Sequence, residues 1–215
     1  MPARTRAGMS GKRPKATLVI MTSGTDEEDE EISVPVVVGR ALCNLKRKGE
    51  LKSVTHSELL SVLSETQRSC AKEKALAYLE RRDLSKRELE QRLSKDGFPS
   101  FARDFAVEFA IRCKYIDDER YLQRFAQTKQ DAGWGEIRIK RELRSRGIDV
   151  TEYDGWPEDY IDVNGERERA YTIALRKHVL EPNAYAKLVR FLLGRGFAYG
   201  VATSVAKEVL DCSGL

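Results

Sequence analysis

The 215-residue sequence is poor in the residues that most often carry catalysis or bind metals. It has two histidines, and its four cysteines are far apart, with no CxxC pair. This scarcity argues against a metal site and a disulfide framework, and it favours a reducing, cytoplasmic compartment. Phosphate-binding loops, dinucleotide-binding glycine motifs, nucleophile elbows and EF-hand loops are also missing. We therefore expect no cofactor and no enzymatic activity.

Long apolar runs are missing as well. No stretch approaches the roughly 18 residues that a membrane span requires, and Ala16–Met21 is too short for the core of a signal peptide. The composition is 33% charged, 41% hydrophobic and only 8% aromatic, with a net charge of +4. This balance predicts a chain without membrane association, for which an acidic partner would be no surprise.

The N-terminal part of the chain predicts a small β-hairpin followed by helix. Residues 1–15 are basic and lack apolar periodicity, which indicates a disordered tail. Strands are expected at 15–21 and 32–38, with the acidic residues 24–31 forming a solvated loop between them. Alternatively, this acidic loop acts as an arm that covers the basic residues in the middle of the chain. The whole N-terminal segment is predicted to cover residues 16–70.

A repeat of about fifty residues dominates the rest of the sequence. Three segments align without gaps and end at Gly97, Gly147 and Gly196, which are 50 and 49 residues apart. Each has apolar residues eight and four positions before the glycine, and another directly after it. Residues four apart share a helix face, and glycine can close a helix in the left-handed conformation. Each segment therefore predicts a helix with a glycine C-terminus.

Similar apolar patterns before and after these segments predict three helices in each repeat. The predicted repeats cover residues 71–116, 117–162 and 163–213. A run of apolar residues three or four apart predicts the third helix of the first repeat: Phe101, Phe105, Phe109, Cys113 and Ile116. The middle repeat has Pro157 in the corresponding place, so its third helix should be broken. The fold class is thus mainly all-α, an elongated and curved tandem array of three three-helix repeats after the hairpin segment.

Basic residues are densest in the middle of the chain. Residues 121–150 contain seven basic and four acidic side chains, and on a helix at about 135–146 several basic residues share a side. Such a cluster can neutralise phosphates and so bind nucleic acid without specificity for the base sequence. The candidate binding residues here are Arg124, Lys129, Trp134, Arg138, Lys140, Arg141 and Arg144. A weaker group in the first repeat consists of Arg81, Arg82, Lys86 and Arg87. An ordinary solvated face paired with Glu136 and Glu142 explains the cluster equally well.

Four stretches of the sequence resemble the RecX family, regulators of the RecA recombinase. They are residues 84–98, 115–121, 135–148 and 193–199. Their order and spacing carry the resemblance, which extends over about residues 70–212. The Gly155–Pro157 interruption and the long acidic loop depart from the family pattern.

The resemblance implies a regulatory function and a set of partners. Members of the family lie in the groove of the RecA filament on single-stranded DNA, inhibit its ATPase, strand-exchange and co-protease activities, and limit filament growth. For this chain we expect binding to that filament, secondary binding to single-stranded DNA without sequence specificity, and a monomeric state. A stand-alone DNA-binding protein with helix-turn-helix-like units is the alternative. A scaffold that binds through apolar faces is a third possibility.

Overall fold

The computed structural model describes residues 15–20, 30–51, 55–177 and 183–213. The predictions of a disordered tail and of a solvated acidic loop therefore fall largely outside the described residues. The chain divides into two compact units, Met1–Ile116 and Asp117–Leu215. Within the described part, no helix combines the length and the apolar character needed to cross a membrane.

The first unit begins with the predicted hairpin. Strands β1 (Lys15–Ile20) and β2 (Glu30–Pro35) pair antiparallel, and helix α1 (Val36–Lys48) follows without a loop. The prediction that the second strand reaches residue 38 is wrong. Pro35 lacks an N–H and precedes the first helical turn, where no donor is needed, so the strand ends there. The valines after it are helical: Val38 is fully buried, whereas Val37 is exposed.

Helix α2 (His56–Leu79) is the longest in the described structure, at 24 residues. A capping box starts it: the Thr55 side chain accepts from the amide of Glu58, and the Glu58 carboxylate accepts from the amide of Thr55. The predicted boundary between residues 70 and 71 falls inside this helix. Cys70 and Ala71 are both buried, and no glycine or proline interrupts the helix, so the N-terminal segment runs directly into the first repeat.

Helices α3 (Lys86–Lys95) and α4 (Ser100–Arg112) complete the first unit. The predicted third helix is present as α4, although it ends before Cys113 and Ile116. Three alanines and Val107, instead of phenylalanines, form its buried face. Phe101 and Phe105 are exposed, and the Arg68 guanidinium of α2 lies 5.7 and 5.9 Å from their ring centroids. Small residues occupy the buried positions because they allow α2 and α4 to approach closely. The alanines of that face are Ala102, Ala106 and Ala110.

The second unit contains two further helical groups. Their elements are α5 (Asp118–Asp131), α6 (Glu136–Ser145), a 3₁₀ turn at Val150–Glu152, α7 (Glu166–Leu175), α8 (Ala184–Arg195) and α9 (Tyr199–Ser213). Asp117 caps α5 by accepting from the amide of Arg120 at 2.9 Å. The three repeat glycines all have positive φ, at 90° for Gly97, 83° for Gly147 and 89° for Gly196. The prediction of left-handed helix ends is therefore confirmed.

The third helix of the middle repeat is broken, as predicted. The described chain has only the 3₁₀ turn and a series of turns between α6 and α7. A buried side chain of α5 holds this segment in place. The Gln130 amide donates to the carbonyl of Tyr160 at 3.0 Å and accepts from the amide of Asp162 at 2.8 Å. The side chain of Trp156 packs against Tyr160, with ring centroids 5.9 Å apart.

The described structure is thus mainly helical with one N-terminal hairpin, which confirms the predicted fold class. The buried residues of the described part form three clusters, one in the first unit and two in the second. The curved, elongated arrangement of the repeats and their exact limits stay predictions.

Candidate partner-binding surface

Helix α6 presents one apolar and one basic side. Ile139 and Leu143 are four residues apart and completely buried, which fixes the rotation of the helix. The opposite side is exposed and carries the three basic residues that the sequence placed together: Lys140, Arg141 and Arg144. A buried stripe and a charged outer face are typical of a helix on the surface of a bundle.

The basic side of α6 acts on the nearest carboxylate. The pKa of Asp149 is lowered, first by hydrogen bonds from the Thr151 hydroxyl (2.8 Å) and amide (3.1 Å), and also by the charges of Arg144 and Lys140. The Thr151 hydrogen bonds are the larger cause, and the two cations add a positive potential at this carboxylate. This potential favours an acidic partner.

The acidic residues of α6 lie at the borders of its basic side. The Glu142 carboxylate is 3.9 Å from the Arg146 guanidinium, which also donates to the Tyr121 hydroxyl at 3.0 Å. Arg146 thus ties α6 to α5. Among the described residues, no carboxylate lies within ion-pair distance of Arg141. The alternative in which acidic neighbours neutralise the basic residues therefore does not apply to Arg141.

Trp134 is surrounded by cations instead of being an open platform. The Arg138 guanidinium lies 3.9 Å from the indole centroid, and the Lys129 ammonium lies 4.8 Å from it. Phe125 meets the indole edge-on at 6.5 Å. Cation–π contacts at such distances contribute about 0.5–2 kcal/mol each. The three candidate residues Lys129, Trp134 and Arg138 are thus brought together, in an arrangement that holds α6 against α5.

The remaining candidates are dispersed. Arg124 is exposed on α5, in the same unit as α6. The other group lies in the first unit, around the turn between α2 and α3 and on the first turn of α3: Arg81, Arg82, Lys86 and Arg87. Arg82 is ion-paired with Glu88 at 3.0 Å, so part of the charge of this group is compensated.

A contact between α6 and α8 extends the surface beyond the residues that the sequence suggested. The amide of Gly135 donates to the Arg195 carbonyl at 3.0 Å, and the amide of Ile137 donates to the Gly196 carbonyl at 3.1 Å. A Cβ on Gly135 would overlap the backbone of Gly196. Helix α8 has no acidic residue, and its basic residues are Lys187, Arg190 and Arg195. The contact of Arg195 and Gly196 with the start of α6 was missed because the two helices are about fifty residues apart; the paired glycines are the signal.

The described residues contain no group of His, Cys, Asp and Glu side chains that could hold a metal ion. The four cysteines are free thiols, and only Cys70 is buried. Burial of this thiol, followed by the charge of Glu73, raises its pKa, which makes it a poor nucleophile at neutral pH.

Family models match segments within the first and the second predicted repeat. Residues 71–109 match the first three-helix domain of RecX, and residues 117–151 match its second three-helix domain.

Similar proteins cover most of the chain. A regulatory protein RecX from Vibrio vulnificus (strain CMCP6) is 32% identical over 139 residues, which are 61% of this chain and 86% of the relative. Another from Clostridium botulinum (strain Alaska E43 / Type E3) is 27% identical over 75% of this chain and 79% of the relative. The crystal structure of RecX from Lactobacillus salivarius superposes with a TM-score of 0.56 at 23% identity, over 66% of this chain and 96% of that one. A second crystal structure, of regulatory protein RecX, superposes with a TM-score of 0.60 at 18% identity, over 87% of this chain and 92% of that one. At these identities the two structures show a shared fold.

Proposed function

Because the chain belongs to the RecX family of regulatory proteins, we propose that it binds a RecA recombinase and its filament on single-stranded DNA. Binding inhibits the ATPase, strand-exchange and co-protease activities of the filament and limits its growth. The chain acts by occupying the surface of its partner, without a reaction centre of its own. It works in the cytoplasm as a monomer.

The observation that carries this proposal is the exposed basic side of α6. Its three basic residues project from a helix whose rotation is fixed by buried Ile139 and Leu143. Arg141 has no described carboxylate within ion-pair distance. Unpaired, exposed cations are available for the carboxylates of a protein partner or for phosphates.

DNA contact is the secondary part of the proposal. The α6 cations would neutralise phosphates without reading bases, so affinity should fall steeply with salt and vary little with sequence. A stand-alone DNA-binding protein would instead insert α6 into the major groove and select a site. Footprinting on random and selected duplexes separates the two, because only the alternative leaves a defined protected sequence.

The test of the proposed function is the ATPase rate of RecA on single-stranded DNA, with the chain added at substoichiometric dose. We expect inhibition by the wild type and about tenfold weaker inhibition by the double variant Arg141→Glu/Arg144→Glu, since each reversal replaces attraction by repulsion. The matched control is Arg176→Glu/Lys207→Glu, which changes the net charge equally at exposed positions of α9 and the end of α7.

Circular dichroism checks that all variants are folded. A wild-type chain that leaves the ATPase rate unchanged overturns the proposed function. Equal inhibition by the wild type and the folded Arg141→Glu/Arg144→Glu variant removes the α6 assignment and leaves family membership untouched.

A further inference from the structure

Exposed apolar residues lie near the contact between the start of α6 and the end of α8. Three large apolar side chains are unusually exposed there: Ile137 at 57%, Leu193 at 40% and Tyr199 at 70%. They belong to three different helices of the second unit. Exposed apolar side chains that occur singly need no explanation, but a group of them bordered by polar residues marks an interaction site.

Backbone contacts bring these three positions together around Gly196. The amide of Ile137 donates to the Gly196 carbonyl at 3.1 Å, and the amide of Gly196 donates to the Leu193 carbonyl at 3.0 Å. Tyr199 begins α9 three residues later. The Arg138 guanidinium adds a hydrogen bond to the Gly194 carbonyl at 3.3 Å. The patch is therefore built on a fixed junction between helices.

Two glycines keep the backbone of the patch uncovered. A Cβ built on Gly194 or on Gly200 has no other heavy atom within 4 Å. Both positions thus face open space beside the apolar side chains. A partner can approach the backbone closely at such a place, as small residues allow at helix–helix contacts.

Basic residues border the patch on both helices. Arg141 follows Ile137 by one turn of α6, and Arg190 precedes Leu193 by one turn of α8; both are exposed. Neither has a described carboxylate within ion-pair distance, and α8 has no acidic residue of its own. Among the described neighbours, carboxylates lie on the side of the α6 N-terminus, where Glu136 precedes Ile137 and the Glu166 carboxylate accepts from the Glu136 amide at 3.3 Å. Arg141 and Arg190 therefore complement carboxylates of a partner.

We infer that this α6–α8 patch, defined by Ile137, Leu193, Tyr199, Arg141 and Arg190, docks an apolar protein segment flanked by acidic residues. Given the proposed function, that segment belongs to the recombinase. Two of the three apolar residues are aliphatic and cannot stack on a base, whereas single-stranded nucleic acid is bound mainly by aromatic stacking and cations. An apolar centre with a charged rim is the usual anatomy of a protein–protein interface.

The experiment compares the affinity of the full chain for two probes, a RecA filament assembled on fluorescent poly(dT) and the poly(dT) alone. We expect Ile137→Gln/Leu193→Gln to weaken filament binding about tenfold, as removal of two apolar anchors does at interfaces. Affinity for naked poly(dT) should stay at the wild-type value. Both residues are exposed, so the variant should fold normally.

The matched control is Val163→Gln/Leu175→Gln, which alters two aliphatic residues of similar exposure, 41% and 51%, in the same unit. Filament binding equal to that of this control overturns the docking patch. A parallel loss of naked poly(dT) binding also overturns it, because the patch would then be a nucleic-acid surface.

Arg141→Glu/Arg144→Glu is measured alongside to separate this inference from the proposed function. If that variant loses filament binding and Ile137→Gln/Leu193→Gln does not, the inference fails and the proposed function stands. A wild-type chain without affinity for the filament overturns both.

Discussion

Two glycines of α8 are only two residues apart and have opposite structural roles. Gly194 has helical backbone angles and faces open space, so glycine contributes nothing to packing there. Gly196 has φ of 89°, and a Cβ on it would overlap the backbone and Cβ of Arg138. The second glycine ends the helix and allows α6 to approach; the first weakens the helix.

We therefore expect Gly194→Ala to raise the free energy of unfolding by about 0.5–1 kcal/mol. Gly196→Ala should lower it by about 2 kcal/mol or more, since it combines backbone strain with a steric overlap. Urea unfolding of the two variants measures both effects. Changes of the same sign would contradict the structural distinction.

The pKa of Asp149 responds to the charges of the basic residues on α6. Its pKa is lowered in the folded chain, so its favourable contribution is present above the pKa of the unfolded chain and is lost as the pH falls through the folded-state value. Arg144→Gln should raise the pKa of Asp149 towards its ordinary value, although the Thr151 hydrogen bonds remain. NMR titration of the carboxyl resonance measures this. The control Arg176→Gln should leave the titration unchanged.

At the scale of elements, the side chain of Gln130 supports the segment that stands in place of the third helix of the middle repeat. The segment after the 3₁₀ turn has a few turn hydrogen bonds, such as that from the Ile161 amide to the Pro157 carbonyl at 2.8 Å, in place of a continuous helical series. Gln130 supplies two further bonds to it from α5. The residue is 5% exposed. Buried polar groups that lose their partners are costly, so this glutamine should matter more than its neighbours on α5.

Gln130→Met should lower the free energy of unfolding by about 1–3 kcal/mol, because it leaves the Tyr160 carbonyl and the Asp162 amide without their partner. Hydrogen exchange at the Asp162 amide should accelerate as well. The control is Gln127→Met, since Gln127 is exposed on the same helix and bonds only Asp131 at 2.9 Å. Equal effects of the two substitutions would refute the anchoring role.

The sequence predicts the local features of this fold better than its tertiary contacts. Helix-closing glycines and the proline break depend on local backbone chemistry, which neighbouring residues reveal, so the sequence predicts the roles of Gly147 and Pro157. The exposure of Phe101 was not predicted, because apolar spacing identifies a helix face without saying whether smaller residues occupy the contact. The cations around Trp134 and the contact of Gly135 with Gly196 depend on tertiary packing. Whether the candidate residues bind a partner stays a prediction.

At the scale of the whole molecule, each buried cluster is built from residues of a single unit. The cluster of the first unit extends from Val34 to Ile116, and the two clusters of the second unit lie between Tyr121 and Val209. Chains with separate cores often depart from two-state unfolding. A destabilising substitution in one buried cluster should therefore lower local stability mainly in the unit that contains that cluster.

Leu93→Ala should accelerate hydrogen exchange in the first unit and leave protected amides of the second unit at their wild-type rates. Leu192→Ala should give the reverse pattern. Both leucines are completely buried, and such truncations cost about 2–5 kcal/mol. Hydrogen-exchange mass spectrometry of the full chain measures the effect peptide by peptide. Uniform acceleration across both units by either variant would contradict this expectation.

Helix α2 belongs to the hairpin segment at its start and to the first repeat at its end. A continuous helix of 24 residues is a stiff rod of about 36 Å, and it contains no glycine or proline at which it could bend. Any force applied to the hairpin is transmitted along this rod to the helices packed at its far end. A label on the exposed thiol of Cys43 in α1, which packs on α2, would consequently follow the orientation of the first repeat.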